Sequence, residues 1–310
     1  MPVLEPSLPS IRVIVRGWLN CNQIVLLDDG GGVVIDTGHS SCANETLRLI
    51  AAPENLGATP LTRVINTHCH ADHMGGNAAL ARRYDCPIAI PAADADNVRT
   101  WNRAAFLLDY ADHAIDRFDY TDTLDVGDEF RAGGFTWQAL AAPGHDANAL
   151  IFWCERNRVL ITGDALWENG LGVMFPEPAL EHALSGAYAT LNRIEALAPR
   201  WIIPGHGAAF TDVSGAIERA RRKLDGFAAD PKKNARHALK ALLSFTLLAR
   251  RRMRADDLLA YVIDVPCFRD LNDRYLGEPL AALAEQMVTE LVNAKAARIE
   301  AGCITPTQAA

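Results

Sequence analysis

Short alternating runs of apolar residues, separated by glycine-rich turns, fill the first part of this chain. Ile11–Arg16, Asn22–Leu27 and Val33–Asp36 read as strands, and Asp28-Asp29-Gly30-Gly31-Gly32 reads as the hairpin turn between two of them. Ala43–Ala51 carries a helical pattern, Arg63–Asn66 is a buried strand, and Asn77–Tyr84 is a helix leading to strand Ile88–Ile90. Ala92–Arg117 is helical in composition and carries Trp101, Phe106, Leu107 and Tyr110. Further on, the apolar stretch Phe135–Ala142, strand-like Arg158–Thr162 and strand Trp201–Ile203 frame a long helix over Pro178–Leu197.

After Phe227 the character changes. Asp230-Pro231-Lys232-Lys233-Asn234 reads as a linker, so the expected units are residues 1–228 and 229–310. Ala235–Arg250 and Ala255–Asp264 are helical, Val265–Glu278 is turn-prone, and a third helix shows Leu280, Leu283, Met287 and Leu291 on one face. Ala297–Gly302 is a candidate short strand.

The richest chemistry lies just after Val64-Ile65. Thr67-His68-Cys69-His70-Ala71-Asp72-His73-Met74-Gly75-Gly76 places three imidazoles and a carboxylate within six residues. Alternation points His68 and His70 the same way and Cys69 away from them, as a packed thiol. A turn at Ala71 lets Asp72 and His73 face a second point. Such spacing suits two metal ions better than a core. His145 in Ala-Pro-Gly-His, Asp164 in Thr-Gly-Asp and His206 in Pro-Gly-His-Gly each follow a short apolar run at a glycine-containing turn. Strand ends of a shared sheet are where distant segments converge.

These motifs resemble the metallo-β-lactamase superfamily over roughly residues 11–226. The resemblance implies an α/β fold, a four-layer αβ/βα sandwich, followed here by a small, mainly helical, winged-helix-like C-terminal domain. It makes His68, His70 and His145 ligands of a first metal, and Asp72, His73 and His206 ligands of a second, with Asp164 bridging. It also casts Asp36 as an acid supporting a ligand from behind, leaves His39 as a loop residue, and makes the 92–117 region a lid or pocket wall. The loop Trp167–Pro176 is a second candidate for the pocket rim.

Histidine and carboxylate donors suit zinc, two ions per chain, and iron or manganese tolerate similar sets. The resemblance implies a zinc-bound bridging hydroxide attacking an ester, thioester or lactone, with Asp72 holding the nucleophile and relaying its proton. An exported β-lactamase is disfavoured, because no basic and apolar leader is visible at Met1–Pro6. Close identity with glyoxalase II is also disfavoured by the surroundings of His206. A metal-dependent ribonuclease or phosphodiesterase and an iron-dependent thiol (persulfide) dioxygenase are the alternatives.

Composition changes this picture little. The 310 residues are 49% hydrophobic and 22% charged, ordinary for a globular protein, without an apolar run of membrane-spanning length. Seven cysteines without Cys-x-x-Cys spacing point to reduced thiols and a cytoplasmic address. Charge adds more. Arg219–Arg254 holds twelve Lys/Arg against Asp225 and Asp230, a segment of +10 in a chain of net −8. That segment is either a solvated helical face or a surface that steers a small anionic acyl substrate, with nucleic acid as the weaker partner.

Overall fold

The structure, a computed structural model, describes residues 8–175 and 180–307. Pro176 of the expected rim loop and Pro178 of the expected helix lie outside the described residues. Strands β1 (Ile11–Ile14), β2 (Gln23–Asp28) and β3 (Gly31–Ile35) pair antiparallel. Gly31 closes the β2–β3 turn at φ +130°, where a Cβ would strike the Thr62 side chain and the Pro60 carbonyl. Helix α1 (Ala43–Ala51) then crosses to β4 (Leu61–Ile65), which runs parallel to β3. The short α2 (Ala71–Met74) and α3 (Asn77–Tyr84) lead to β5 (Ile88–Pro91), α4 (Ala95–Thr100) and β6 (Asp122–Leu124). The six strands lie in sequence order in one sheet.

A second sheet is built from β7 (Glu129–Ala132), β8 (Phe135–Ala141), β9 (Leu150–Cys154), β10 (Val159–Gly163) and, after helix α5 (Leu180–Leu197), β11 (Trp201–Pro204). Helix α6 (Val213–Ala229) follows. Alternation along each strand decides the layers. Ile24, Leu26 and Ile35 face Phe130, Trp137, Phe152 and Ile161 between the sheets. Val25, Val34 and Val64 face the other way, onto Ile50 of α1 and Leu80 of α3. Ile151, Leu160 and Ile202 meet Leu191 of α5 and Ile217 of α6. The result is the expected four-layer αβ/βα sandwich.

The C-terminal region comprises α7 (Pro231–Arg250), β12 (Met253–Arg254), α8 (Leu258–Asp264), α9 (Pro266–Leu271), α10 (Leu280–Asn293), β13 (Ala297–Glu300) and β14 (Cys303–Pro306). Its helices share a core that includes Leu239, Leu243, Phe268 and Met287 and extends to Ala111 and Val173 of the sandwich. The expected strand at 297–302 is the first arm of a hairpin, and β14 also pairs with β12.

Three expectations are corrected. Residues 230–234 are the start of α7, not a linker: the Asp230 carboxylate accepts from Lys233 N at 3.1 Å and Pro231 occupies the first turn. Most of 92–117 is not helical. Beyond α4 the chain proceeds in turns, with Trp101, Leu107 and Asp112 all at positive φ, because Trp101 folds back onto Phe106 and Phe118. The turn-prone 265–278 contains α9, whose Cys267, Phe268 and Leu271 bury into the cap core.

Candidate metal centre

Four of the seven donors lie just beyond the C-terminal end of a strand, His68 after β4, His145 after β8, Asp164 after β10 and His206 after β11, while His70 caps α2 and Asp72 and His73 lie within it. Two backbone links hold these ends together. Leu150 N donates to the Thr67 carbonyl at 2.8 Å, and Asn22 N donates to the Gly205 carbonyl at 2.6 Å. The Asn22 side chain also donates to the Pro204 and Gly207 carbonyls, clamping the His206 loop.

The seven donors fall into two groups. One potential ligand atom from each of His68, His70 and His145 lies within 4.8 Å of the others, and so do those of Asp72, His73, Asp164 and His206. Asp164 faces both. Its Oδ2 lies 3.5 Å from His145 Nε2, and its Oδ1 lies 3.2 Å from His73 Nε2 and 3.7 Å from His206 Nε2. Asp72 Oδ2 lies 3.1 Å from His206 Nε2.

Hydrogen bonding behind the rings decides which nitrogens are free. His145 Nδ1 faces the Val173 carbonyl at 2.6 Å and must donate, which leaves the Nε2 lone pair facing His70 Nδ1 at 2.8 Å. His73 Nδ1 donates to Asp36 Oδ2 at 2.8 Å. The Thr67 hydroxyl donates to the same Asp36 oxygen, so it accepts from His68 Nδ1 at 3.0 Å. His68 Nε2 and His73 Nε2 are therefore buried acceptors, and neither has a hydrogen-bond partner among the described residues. A cation between these nitrogens and carboxylates satisfies both orphans, so the donor set fits a pair of divalent metals.

Electrostatics point the same way. Burial, then the charges on His73 and His70, push His68 well below its ordinary range. Burial and His70 bring His145 down to about 4. Burial alone would raise Asp72 and Asp164, yet His73 and His206 hold both below the usual carboxylate range. Burial would lower His73, but the carboxylates of Asp164, Asp36 and Asp72 drive it well above its ordinary range. Three carboxylates around one imidazole demand positive charge there. Cys21 lies against Asp36 and His73, and burial raises its thiol to about 11, so it remains protonated.

Asp36 takes the supporting position expected of it, and His39 is a buried loop residue that accepts from Ser41 N. Cys69 packs into the core over the first sheet. Asn22, Thr67 and Asp146 have no role in the sequence reading, and Trp167, there only part of a pocket rim, reaches the donors themselves. Asp146 Oδ2 lies 3.6 Å from His70 Nε2, and Trp167 Nε1 donates to Asp164 Oδ1 at 3.2 Å. Proximity in sequence to His68 and His145 was the available signal for Thr67 and Asp146; Asn22 carried none.

His70, Asp72, His113, His145 and Asp164 form the polar part of a cavity whose apolar walls include Phe106, Leu107, Val173, Phe175, Leu242 and Phe245. The 92–117 region, the rim loop and α7 of the cap thus each contribute a wall.

The fold and donor arrangement define a metallohydrolase-type sandwich, and the sequence comparison agrees. The family described as the metallo-beta-lactamase superfamily matches residues 16–206, and the chain belongs to it. A hydroxyacylglutathione hydrolase of Methylococcus capsulatus is 31% identical over 137 residues, 44% of each chain. Across the first curated relatives the match covers between 44% and 64% of their length. A beta-lactamase domain protein from Burkholderia ambifaria superposes with a TM-score of 0.59 at 22% identity, covering 99% of this chain and 97% of its own. A metallo-beta-lactamase family protein from Thermus thermophilus gives 0.53 at 19%, covering 97% and 99%. The shared fold therefore includes the C-terminal cap. Among the described residues no helix is long and apolar enough to cross a membrane.

Proposed function

We propose that this protein is a metal-dependent hydrolase of an acyl thioester or a related ester or lactone. His68, His70 and His145 would hold one cation, and Asp72, His73 and His206 a second, with Asp164 between them. The observation that carries this reading is the Asp164 carboxylate, which turns one oxygen to each donor group at the floor of an apolar cavity. Two divalent ions, zinc by donor chemistry with iron or manganese tolerated, would supply Lewis acidity and an acidified water near neutral pH.

The chain's own residues do the rest. Asp72 lines the cavity, so its carboxylate can take the proton that an attacking water gives up. The walls from Phe106, Leu242 and Phe245 hold the acyl group and exclude bulk water. The hydroxyacylglutathione hydrolase relatives support a thioester. A nucleic-acid substrate is disfavoured because seven of the twelve basic residues in 219–254 already face carboxylates, Arg221 on Glu195 and Arg236 on Glu278 among them. The helices and β12–β14–β13 sheet of the cap are read as winged-helix-like packing beside the pocket. The seven free thiols fit a reducing, cytoplasmic setting.

Initial rates on an acyl thioester and a single-stranded RNA, with Asp72→Ala as control, test the proposal. Thioester cleavage should be lost by at least ~100-fold in the variant. RNA cleavage with the same dependence on Asp72 would overturn it.

A further inference from the structure

A second cleft lies beside His206 and shares Trp167 and Val173 with the apolar cavity. Arg16, Trp18, Lys223 and His237 line it. Lys223 projects from α6 past Gly170, where a Cβ would meet its Cδ at 3.4 Å and its Nζ at 3.6 Å. Its amine stands 5.7 Å from the Phe227 ring centroid and forms no ion pair among the described residues. Arg16 is bound by neutral groups only, donating to Gln23 Oε1 at 2.8 Å and Thr46 Oγ1 at 2.9 Å. Glu168 also lines the cleft, but its carboxylate is exposed and pairs with none of these cations.

The imbalance is visible in the titrating groups. Burial alone lowers Lys223, with no carboxylate to offset it. Burial, then Lys223 and Lys240, bring His237 down to about 4. Among the described residues the Lys223 ammonium thus has no carboxylate paired with it, a condition that an incoming anion relieves. The opposite side of the centre differs in sign. There a third cleft beside His70 and His145 presents Asp94 and Asp146, which would repel an anion.

We infer that the Lys223 cleft receives an anionic group on the leaving half of the substrate, a carboxylate or phosphate carried by the thiol, while the apolar cavity takes the acyl half. The inference rests on the thioester reading above. It makes Lys223 a specificity residue, with Arg16 adding to the field and the neutral His237 ring lining the cleft.

The test titrates coenzyme A, a phosphate-bearing thiol, and glutathione, a carboxylate-bearing one, into the metal-loaded protein, following tryptophan fluorescence from Trp18 and Trp167. At least one should bind saturably. Lys223→Met, which keeps the packed stem, should weaken that binding about tenfold, and Lys223→Arg should restore it. Lys232→Gln, on the same basic segment, should leave it unchanged. In parallel, KM for acetyl-coenzyme A or an acylglutathione should rise in Lys223→Met by more than KM for neutral S-acetyl-N-acetylcysteamine. Equal effects on both thioesters, or binding insensitive to Lys223→Met, would overturn the anion site while leaving the hydrolase reading intact. Saturable Lys223-dependent binding without turnover of any thioester would keep the anion site and refute the hydrolase reading.

Discussion

Asp36 Oδ2 lies 2.8 Å from His73 Nδ1, with both side chains buried beneath the candidate metal centre. The same carboxylate accepts from Thr67 N and Thr67 Oγ1, and through Thr67 it also orients His68. One acid thus aligns a ligand from each donor group. Asp36→Asn is expected to lower metal affinity by about tenfold or more without touching a direct ligand. Competition with a chromophoric chelator would measure this, and wild-type affinity would refute it.

Gly205 sits between β11 and His206, and a Cβ there would collide with Asp164 Oδ1. Gly172 is similarly tight, since a Cβ would stand 2.6 Å from His145 Cγ and 2.9 Å from Asp164 Cβ. Gly205→Ala should therefore displace Asp164 and reduce bound metal from about two ions per chain toward one, as Asp164→Ala should. Elemental analysis of the purified variants settles the point. Full occupancy in both would show that Asp164 does not bridge.

His237 is held at about 4, against an ordinary value of 6.5. Between those values the unfolded chain binds a proton that the folded chain does not. Its contribution to stability is therefore lost as pH falls from about 6.5 to about 4, and is constant above that window. His237→Phe, packing on Phe227 as the imidazole does, should flatten that part of the stability curve. Melting temperatures at about pH 7 and pH 4.5 test it; an identical pH response in both proteins would count against the burial argument.

Arg250 lies 2.8 Å from Asp112 and 4.7 Å from the centre of the Tyr261 ring, joining the turns of the sandwich to the cap. Arg250→Ala should cost about 1 kcal/mol of stability, while charge reversal at exposed Arg251 and Arg252 should cost little. Equal losses on denaturant unfolding would refute the distinction.

Much of the fold was readable because its local signals agree. Helices Ala43–Ala51 and Asn77–Tyr84 have the bounds their patterns indicate, and alternation in Gln23–Asp28 and Gly31–Ile35 sorts the two layers. The reading failed where a distant contact overrides local preference. Ala92–Arg117 has helix-forming composition, yet burying Trp101 against Phe106 and Phe118 is worth more than continuing the helix. The Asp230-Pro231 pair, read as a linker, is a capping signal that was available and misjudged.

What the sequence determined by itself is the donor chemistry: four donors within residues 68–73, and three more at glycine turns after apolar runs. Strand periodicity and turn residues are local properties, so they place each donor at a strand end without knowledge of the rest. Only the tertiary structure decided how those ends meet. It made Asp164 face both groups, assigned the free nitrogens through Asp36, Thr67 and Val173, and brought Phe245 of the cap over the site. It also distributed the charge, setting Arg236 against Glu278 and leaving Lys223 without a counterion among the described residues. Proximity between residues far apart in the chain arises from packing of whole layers, and no local pattern encodes it.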